Sequence, residues 1–493
     1  MGQNKYHDRP QLPNELMGKV NRIVEEMRIE GISVLELPEQ LMAILIMEIV
    51  GGRERDRWKE NPFLYEEEWE RAKRAFMDAQ RRLRDAPCFD TIWNEIRLIS
   101  SRQVLMNLWD LGEWLCRESP GLSQELEGAF SGKSGLQSQV LAETMDYLAE
   151  AIHHRGDRGF FFTPYNLAVL VTELVNPGDG KIWDPSFGSG ILLIQAAKKA
   201  EQNTGTYCIA GNEINHRMVR FAHINAFCHG IAAQFMEFGE ADTIEESRRA
   251  TFYELYDYII ANPPVSSVSD NTREEFGFLA PTRKLHLQFL QVILMRLKQT
   301  GRAAIFVNEN FLFARSRTEK KIREALVENF GLRTVISLPQ GAFAPYTYAK
   351  ASILFLDRSL ANEQPVSFYE LKALGYTLDK RGQQISENDI PQVLDAEAHR
   401  EDRYMEWENR IKRMWQYNEQ GIVVPADWQY ETGWFADRKD IRDKEYSLMG
   451  TVYSMREKEL REPEASPGEL LRKLGRMEAE SQELLDRLFE MNL

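Results

Sequence analysis

The chain has 493 residues, 43% of them hydrophobic, and a formal net charge of −15. That length accommodates two or three domains with one full α/β core, and the acidic balance excludes a free-standing nucleic-acid binder of the usual basic kind. Local basic patches stay compatible with it, and so does a DNA grip supplied largely by another chain.

The longest apolar run, Leu41–Val50, is too short to span a membrane, and the polar amino terminus has no signal-peptide apolar stretch. A cytoplasmic protein without membrane association is expected. Cys88, Cys116, Cys208 and Cys228 show no Cys-x-x-Cys spacing, so reduced thiols and no metal site are expected.

Residues 1–150 read as a helical domain, with apolar positions at helical spacing through Leu35–Ile49, Trp69–Leu83, Ile92–Leu115 and Val140–Ile152. Gly, Pro and Ser clusters at Glu118–Leu122 and Phe130–Gln137 interrupt the run. Trp58, Trp69, Trp93, Trp109 and Trp114 fall at spacings that suit a helical core better than a stacking surface.

Residues 151–395 alternate between short apolar runs and helical patterns. The predicted strands are Lys181–Asp184, Tyr207–Asn212, Ala233–Phe238, Tyr256–Ala261, Ala303–Val307, Thr334–Leu338 and Ser352–Leu356. The helices between or beside them are Leu167–Val175, Leu192–Gln202, Met218–Phe227, His286–Leu297 and Thr318–Asn329. Such alternation predicts an α/β fold with a doubly wound, mostly parallel sheet, whose ligands sit beyond the carboxyl ends of the strands. After about Arg358 the regular alternation stops, and 396–493 reads as a carboxyl-terminal region. Gly375–Ile390 reads as a turn-rich appendage, and Pro467–Leu493 as an amphipathic helix that either packs on its own domain or docks a partner.

Several strand ends carry chemistry. Phe160-Phe161-Phe162-Thr163-Pro164 reads as a helix entry, or as a Thr hydroxyl capping a ligand that a Phe covers. Asp184-Pro185-Ser186-Phe187-Gly188-Ser189-Gly190 is a strand-to-helix turn whose glycines let the backbone approach a ligand closely. It lacks a Lys-Ser/Thr, and Asp184 would repel a pyrophosphate. A cationic or amine-bearing ligand such as S-adenosylmethionine suits it better.

Glu213, about twenty residues beyond that turn, is placed to bind ribose hydroxyls, and Asp242 to accept from an adenine amino group; a solvated strand-end acid or a surface turn is the plain alternative for each. Asn262-Pro263-Pro264-Val265 follows the strand Tyr256–Ala261. Two consecutive prolines fix the backbone there, so that the Asn262 side chain and the Pro263 carbonyl offer acceptors to one point, which suits an exocyclic amino group.

In this order, these elements resemble the N6-adenine DNA methyltransferases, specifically the modification subunits of type I restriction–modification systems. The resemblance rests on Phe-Thr-Pro, Asp-Pro-Ser-Phe-Gly-Ser-Gly, Gly-Asn-Glu-Ile (ending at Ile214) and Asn-Pro-Pro. It continues through Gly301–Val307, Ser337–Phe343 and Tyr348–Leu354, covering about residues 155–395 and, more weakly, Asp440–Tyr453.

The resemblance implies a Rossmann-like S-adenosylmethionine-dependent core that methylates the N6 amino group of a flipped-out adenine. Asn262 and the Pro263 carbonyl would accept from that group, Pro264 and Val265 would complete the turn, and Phe343 would pack on the base. The cofactor would lie against Phe160–Pro164, Asp184, Pro185, Gly188, Ser189, Gly190, Glu213, Ile214 and Asp242. The implied partners are double-stranded DNA, a specificity subunit, a second copy of the chain and a restriction or other defence subunit.

One departure stands out. Relatives carry an aromatic residue where this chain has Val265, and base–aromatic stacking contributes about 1–3 kcal/mol. Weaker base capture is therefore expected, with a cofactor- and DNA-binding module of impaired turnover as the alternative reading. Phe187 replaces a smaller residue of many relatives and is expected to crowd or cover the cofactor.

Overall fold

The computed structural model describes residues 13–51, 70, 101–130, 136–155, 162–203, 205–249, 254–264, 275–360, 364–419 and 433–453. Phe160, Phe161, Val265, Trp58, Trp69, Trp93, Cys88 and the predicted helix 467–493 lie outside these residues.

The amino-terminal region is helical as expected: α1 (Asn14–Ile29), α2 (Leu37–Gly51), α3 (Arg102–Glu118), α4 (Leu122–Phe130) and α5 (Gln139–Arg155). In α1, Leu16, Val20, Ile23, Val24 and Met27 share one buried stripe, which is what the 3.6-residue period of an amphipathic helix demands. Ser101 starts α3 by accepting the Val104 N–H at 3.2 Å. Every residue from Leu41 to Met47 in α2 is buried, as befits a helix apolar on all sides at the centre of a bundle. Trp109 and Trp114 are core residues, 0% and 3% exposed.

Beyond this bundle come α6 (Tyr165–Val175), α7 (Ile191–Asn203), α8 (His216–Cys228), α9 (Thr243–Ser247), α10 (Leu285–Arg296) and α11 (Arg317–Glu328). The strands are β1 (Gly180–Asp184), β2 (Tyr207–Glu213), β3 (Met236–Glu240), β4 (Tyr256–Ala261), β5 (Leu297–Asn308), β6 (Leu332–Ser337), β7 (Ala351–Asp357), β8 (Val366–Glu370), β9 (Leu374–Tyr376), β10 (Gln384–Asn388) and β11 (Gly433–Ala436).

Among the described residues, nine of these strands form one sheet in the order β11-β8-β6-β7-β5-β4-β1-β2-β3. β3, β2, β1, β4 and β5 are mutually parallel, whereas β7 runs antiparallel between β5 and β6. Alternate strand residues face opposite sides. Ile182, Ile209 and Ile260 join α6, α7 and α8 in one core, which runs on into the amino-terminal helices. Trp183, Ala210 and Ile259 join α10 and α11 in the other. The chain changes face between β3 and β4, so the crevice between β1 and β4 is the switch point where open α/β sheets bind ligands.

All seven predicted strands are present, with two corrections. The third begins at Met236, because Ala233–Phe235 forms a 3₁₀ turn. The sheet also continues past the last predicted strand, since β8 pairs parallel with β6, and β11 pairs antiparallel with β8. β11 lies within the segment that showed no alternation, and only its distant partner makes it a strand. The β9–β10 hairpin occupies the turn-rich appendage.

The amino-terminal bundle packs directly on α8. Arg220 Nε donates to Glu39 Oε1 at 2.6 Å, and Met42 Sδ lies 3.8 Å from Cys228 Sγ. No helix among the described residues is long and apolar enough to cross a membrane.

Candidate active site at the carboxyl edge of the sheet

Four polar side chains mark the carboxyl ends of four neighbouring strands: Asp184 ends β1, Glu213 ends β2, Asp242 follows β3 and Asn262 follows β4. The three acids are held in the same way, each accepting a hydrogen bond from the backbone N–H two residues on. Asp184 takes Ser186 at 2.9 Å, Glu213 takes Asn215 at 2.9 Å, and Asp242 takes Ile244 at 2.9 Å. These are local turns that Asp favours because its short side chain reaches back to its own backbone.

The Gly-rich turn lies between them. Gly188 N–H donates to Glu213 Oε2 at 3.1 Å, which ties the first strand end to the second. Gly190 has φ +78°, and a Cβ there would come within 3.3 Å of the Ala222 side chain, so a larger residue would strain the backbone and crowd α8. Gly211 is required for proximity alone: a Cβ would sit 2.5 Å from the Asp184 carbonyl oxygen.

Outside the turn, Thr243 Oγ1 donates to the Pro185 carbonyl at 2.6 Å. Asn225 Nδ2 donates to the Ser189 carbonyl at 2.9 Å. Neither Thr243 nor Asn225 was found from the sequence. Asn225 carried a signal in retrospect, being an amide among the apolar residues of α8, 1% exposed.

Asp184 is 1% exposed. Its Oδ1 is bonded to Ser186, but its buried Oδ2 has no hydrogen-bond partner. Burial pushes the carboxyl up to about 8; the Ser186 N–H opposes the rise and the charge of Glu213 adds to it. Burial raises Glu213 as well, against the backbone N–H groups of Asn215, Gly188 and Ile214. A buried carboxyl oxygen without a partner, beside a second carboxylate, is chemistry that a cation would satisfy. Ile214, next to Glu213, is 63% exposed and offers an apolar platform at the same edge.

The aromatic residues fall elsewhere. Phe162 is 4% exposed and packs edge-on to Phe221 at 5.8 Å. It is a core anchor at the entry to α6. Phe187 is likewise core: 3% exposed and stacked on Phe238 at 4.7 Å, it fills the space above Gly211 instead of covering a ligand. Phe343 is 8% exposed and edge-on to Phe306 at 5.5 Å. Its loop is braced by Tyr376, whose hydroxyl donates to the Ala342 carbonyl at 2.8 Å.

Asn262 is half-buried at the end of β4, and Pro263 beside it is buried. Its Nδ2 donates to Thr163 Oγ1 at 3.1 Å across 99 residues of sequence. Pro164 precedes α6, and its carbonyl accepts the first helical N–H groups, those of Leu167 and Ala168. The fold therefore joins Thr163 directly to Asn262, and Gly188 to Glu213.

Comparison with known proteins gives this geometry a context. The N-6 DNA Methylase family matches residues 137–462. The chain is 26% identical to the HindI type I restriction enzyme methylase subunit of Haemophilus influenzae, over 52% of this chain and 60% of that one. It is 27% identical to the EcoEI methylase subunit of Escherichia coli, over 48% of this chain and 50% of that one. The chain thus spans about half the length of the curated relatives it matches.

Among solved structures, the type I methyltransferase subunit of Streptococcus thermophilus aligns with TM-score 0.59 at 18% identity, covering 89% of this chain and 98% of that one. A putative type I modification subunit from Vibrio vulnificus aligns with TM-score 0.56 at 18% identity, covering 88% and 94%. These likenesses establish the fold.

Proposed function

The chain belongs to the N-6 DNA methylase family, and from that premise we propose that it is the methylating subunit of a type I-like restriction–modification or related defence complex. In this reading it transfers a methyl group to the N6 amino group of an adenine extruded from double-stranded DNA. The observation that carries the reading is the alignment of Asp184, Glu213, Asp242 and Asn262 at the carboxyl ends of four adjacent strands, around the Gly188–Gly190 turn.

The residues at the β1–β3 end fit S-adenosylmethionine. The unpartnered Asp184 Oδ2 suits a cationic group, Glu213 ends the neighbouring strand where ribose hydroxyls are accepted, and the exposed Ile214 supplies a face for a flat base. When bound, this cofactor supplies an electrophilic methyl group on a sulfonium. Asp242 is committed through Oδ1 to capping α9, so any contact with an adenine amino group falls to its other oxygen. Pro185 and Ser189 belong to the turn itself, and Thr163 and Pro164 are proposed to meet the cofactor from the entry to α6.

Everything else is done by the protein's acceptors. Asn262 Oδ1 and the Pro263 carbonyl accept from the two N–H bonds of the substrate amino group, which raises the availability of the nitrogen lone pair and fixes its direction. Pro263 and Pro264 keep those acceptors from drifting. Phe343, already held against Phe306, provides a fixed ring for the extruded base, and Val265 gives apolar contact without a stacking face. Partner subunits supply most of the DNA grip that a chain of net charge −15 lacks, and the segment 467–493, amphipathic in sequence, is proposed to dock a specificity subunit.

The test is transfer of label from methyl-labelled S-adenosylmethionine to unmethylated genomic DNA by the purified complex, with N6-methyladenine identified after digestion. Incorporation that disappears with Asn262→Ala supports the reading. Cofactor binding by calorimetry without transfer to any DNA would leave a binding module instead.

A further inference from the structure

The segment Phe162-Thr163-Pro164 and the turn Asn262-Pro263 are each anchored independently. Phe162 is locked in the core against Phe221, and Pro164 sets the entry to α6 with φ −55°. Asn262 follows the buried strand residues Ile259, Ile260 and Ala261. Between these anchors lies the 3.1 Å hydrogen bond from Asn262 Nδ2 to Thr163 Oγ1.

An amide side chain has a donating end and an accepting end, and only the oxygen can receive an N–H from a substrate amino group. After a half-turn, Asn262 would meet that group with its own N–H bonds and repel it. We propose that Thr163 is a positioning residue: its hydroxyl oxygen holds the Asn262 amide nitrogen and thereby aims the amide oxygen at the amino group to be methylated. This inference rests on the methyl-transfer reading above. It differs from a cofactor-capping role for Thr163, because a residue that orients Asn262 governs turnover, while a residue that holds cofactor governs its affinity.

Thr163→Val keeps the shape and removes the hydroxyl, whereas Thr163→Ser restores it. With the full chain in its complex, S-adenosylmethionine and genomic DNA, T163V should lower kcat about tenfold, as expected for one orienting hydrogen bond. The Kd for S-adenosylmethionine, measured by calorimetry, should stay within about twofold, and T163S should recover most of the rate. A second readout needs no turnover. In protein labelled with 15N-asparagine, the Asn262 side-chain amide signal, identified by its loss in Asn262→Asp, should show slow hydrogen exchange in the wild type and T163S and fast exchange in T163V.

Unchanged exchange in T163V overturns the proposal, as does a loss confined to cofactor affinity with kcat intact. If the wild type methylates no DNA, the methyl-transfer reading falls, and the amide signal still decides whether Thr163 orients Asn262.

Discussion

The two halves of the site are built differently. At the β1–β3 end, Asp184, Glu213 and Asp242 each bond to the backbone two residues ahead. At the β4 end, Asn262 is held by a side chain 99 residues away, and Phe343 by packing against Phe306 from another strand. The β1–β3 half, proposed to hold the cofactor, is therefore a set of local turns placed side by side by the sheet and cross-tied by Gly188 to Glu213, Thr243 to Pro185 and Asn225 to Ser189. The β4 half, proposed to receive the base, exists only once distant segments have met. Local turns tolerate change in their surroundings, while the base half depends on two anchors keeping register.

The largest expected effect breaks the base half alone. Asn262→Ala should lower kcat by about 10²–10³ while leaving S-adenosylmethionine affinity within about twofold, measured by single-turnover methylation and calorimetry. A matching loss of cofactor affinity would mean that the halves are not separable.

Next comes the cofactor half. The Asp184 carboxyl is held up to about 8 by burial, so below that pH the cofactor-free protein keeps it protonated. A bound cation favours the carboxylate, so binding releases a proton, and affinity should rise by up to about tenfold per pH unit toward pH 8 and level off above it. Asp184→Asn should weaken binding about ten- to a hundredfold and flatten the profile. Calorimetry from pH 6 to 9, in buffers of different ionisation heat, checks both. The same raised value means that this group's contribution to the cofactor-free fold is complete near pH 4 and lost as pH rises through about 8.

Val265→Phe tests the base half by gain. A stacking face contributes about 1–3 kcal/mol, so DNA retention or methylation rate should rise about fivefold or more. No change would place the stacking function on Phe343 or another ring. The smallest effect sharpens the cofactor half. Thr243→Val removes the bond to the Pro185 carbonyl and should cost about 1 kcal/mol of stability, read as a small drop in melting temperature with kcat unchanged.

Much of this was legible in the sequence because its signals are local. Strand–helix alternation, the glycines of the Asp184–Gly190 turn and the Asn-Pro-Pro stop each act within a few residues, and together they gave the seven core strands, the sheet type and the motif positions. The burial of Leu41–Met47 and Trp109 followed from helical spacing in the same way.

Other features were invisible because their cause is non-local. β11 is a strand only because β8 offers it an edge. Phe162 reads as a helix entry or a cofactor cover and Phe187 as crowding or covering the cofactor, and only packing shows that both rings sit in the core. Asn225 and Thr243 brace the turn from helices that carry no motif.

The sequence by itself determined which residues could do the chemistry, since hydrogen-bonding capacity, charge and backbone stiffness belong to residue types. Only the tertiary structure decided which of them meet. Burial depth and partner identity are properties of the assembled sheet, and these leave an oxygen of Asp184 unpartnered and set Thr163 against Asn262.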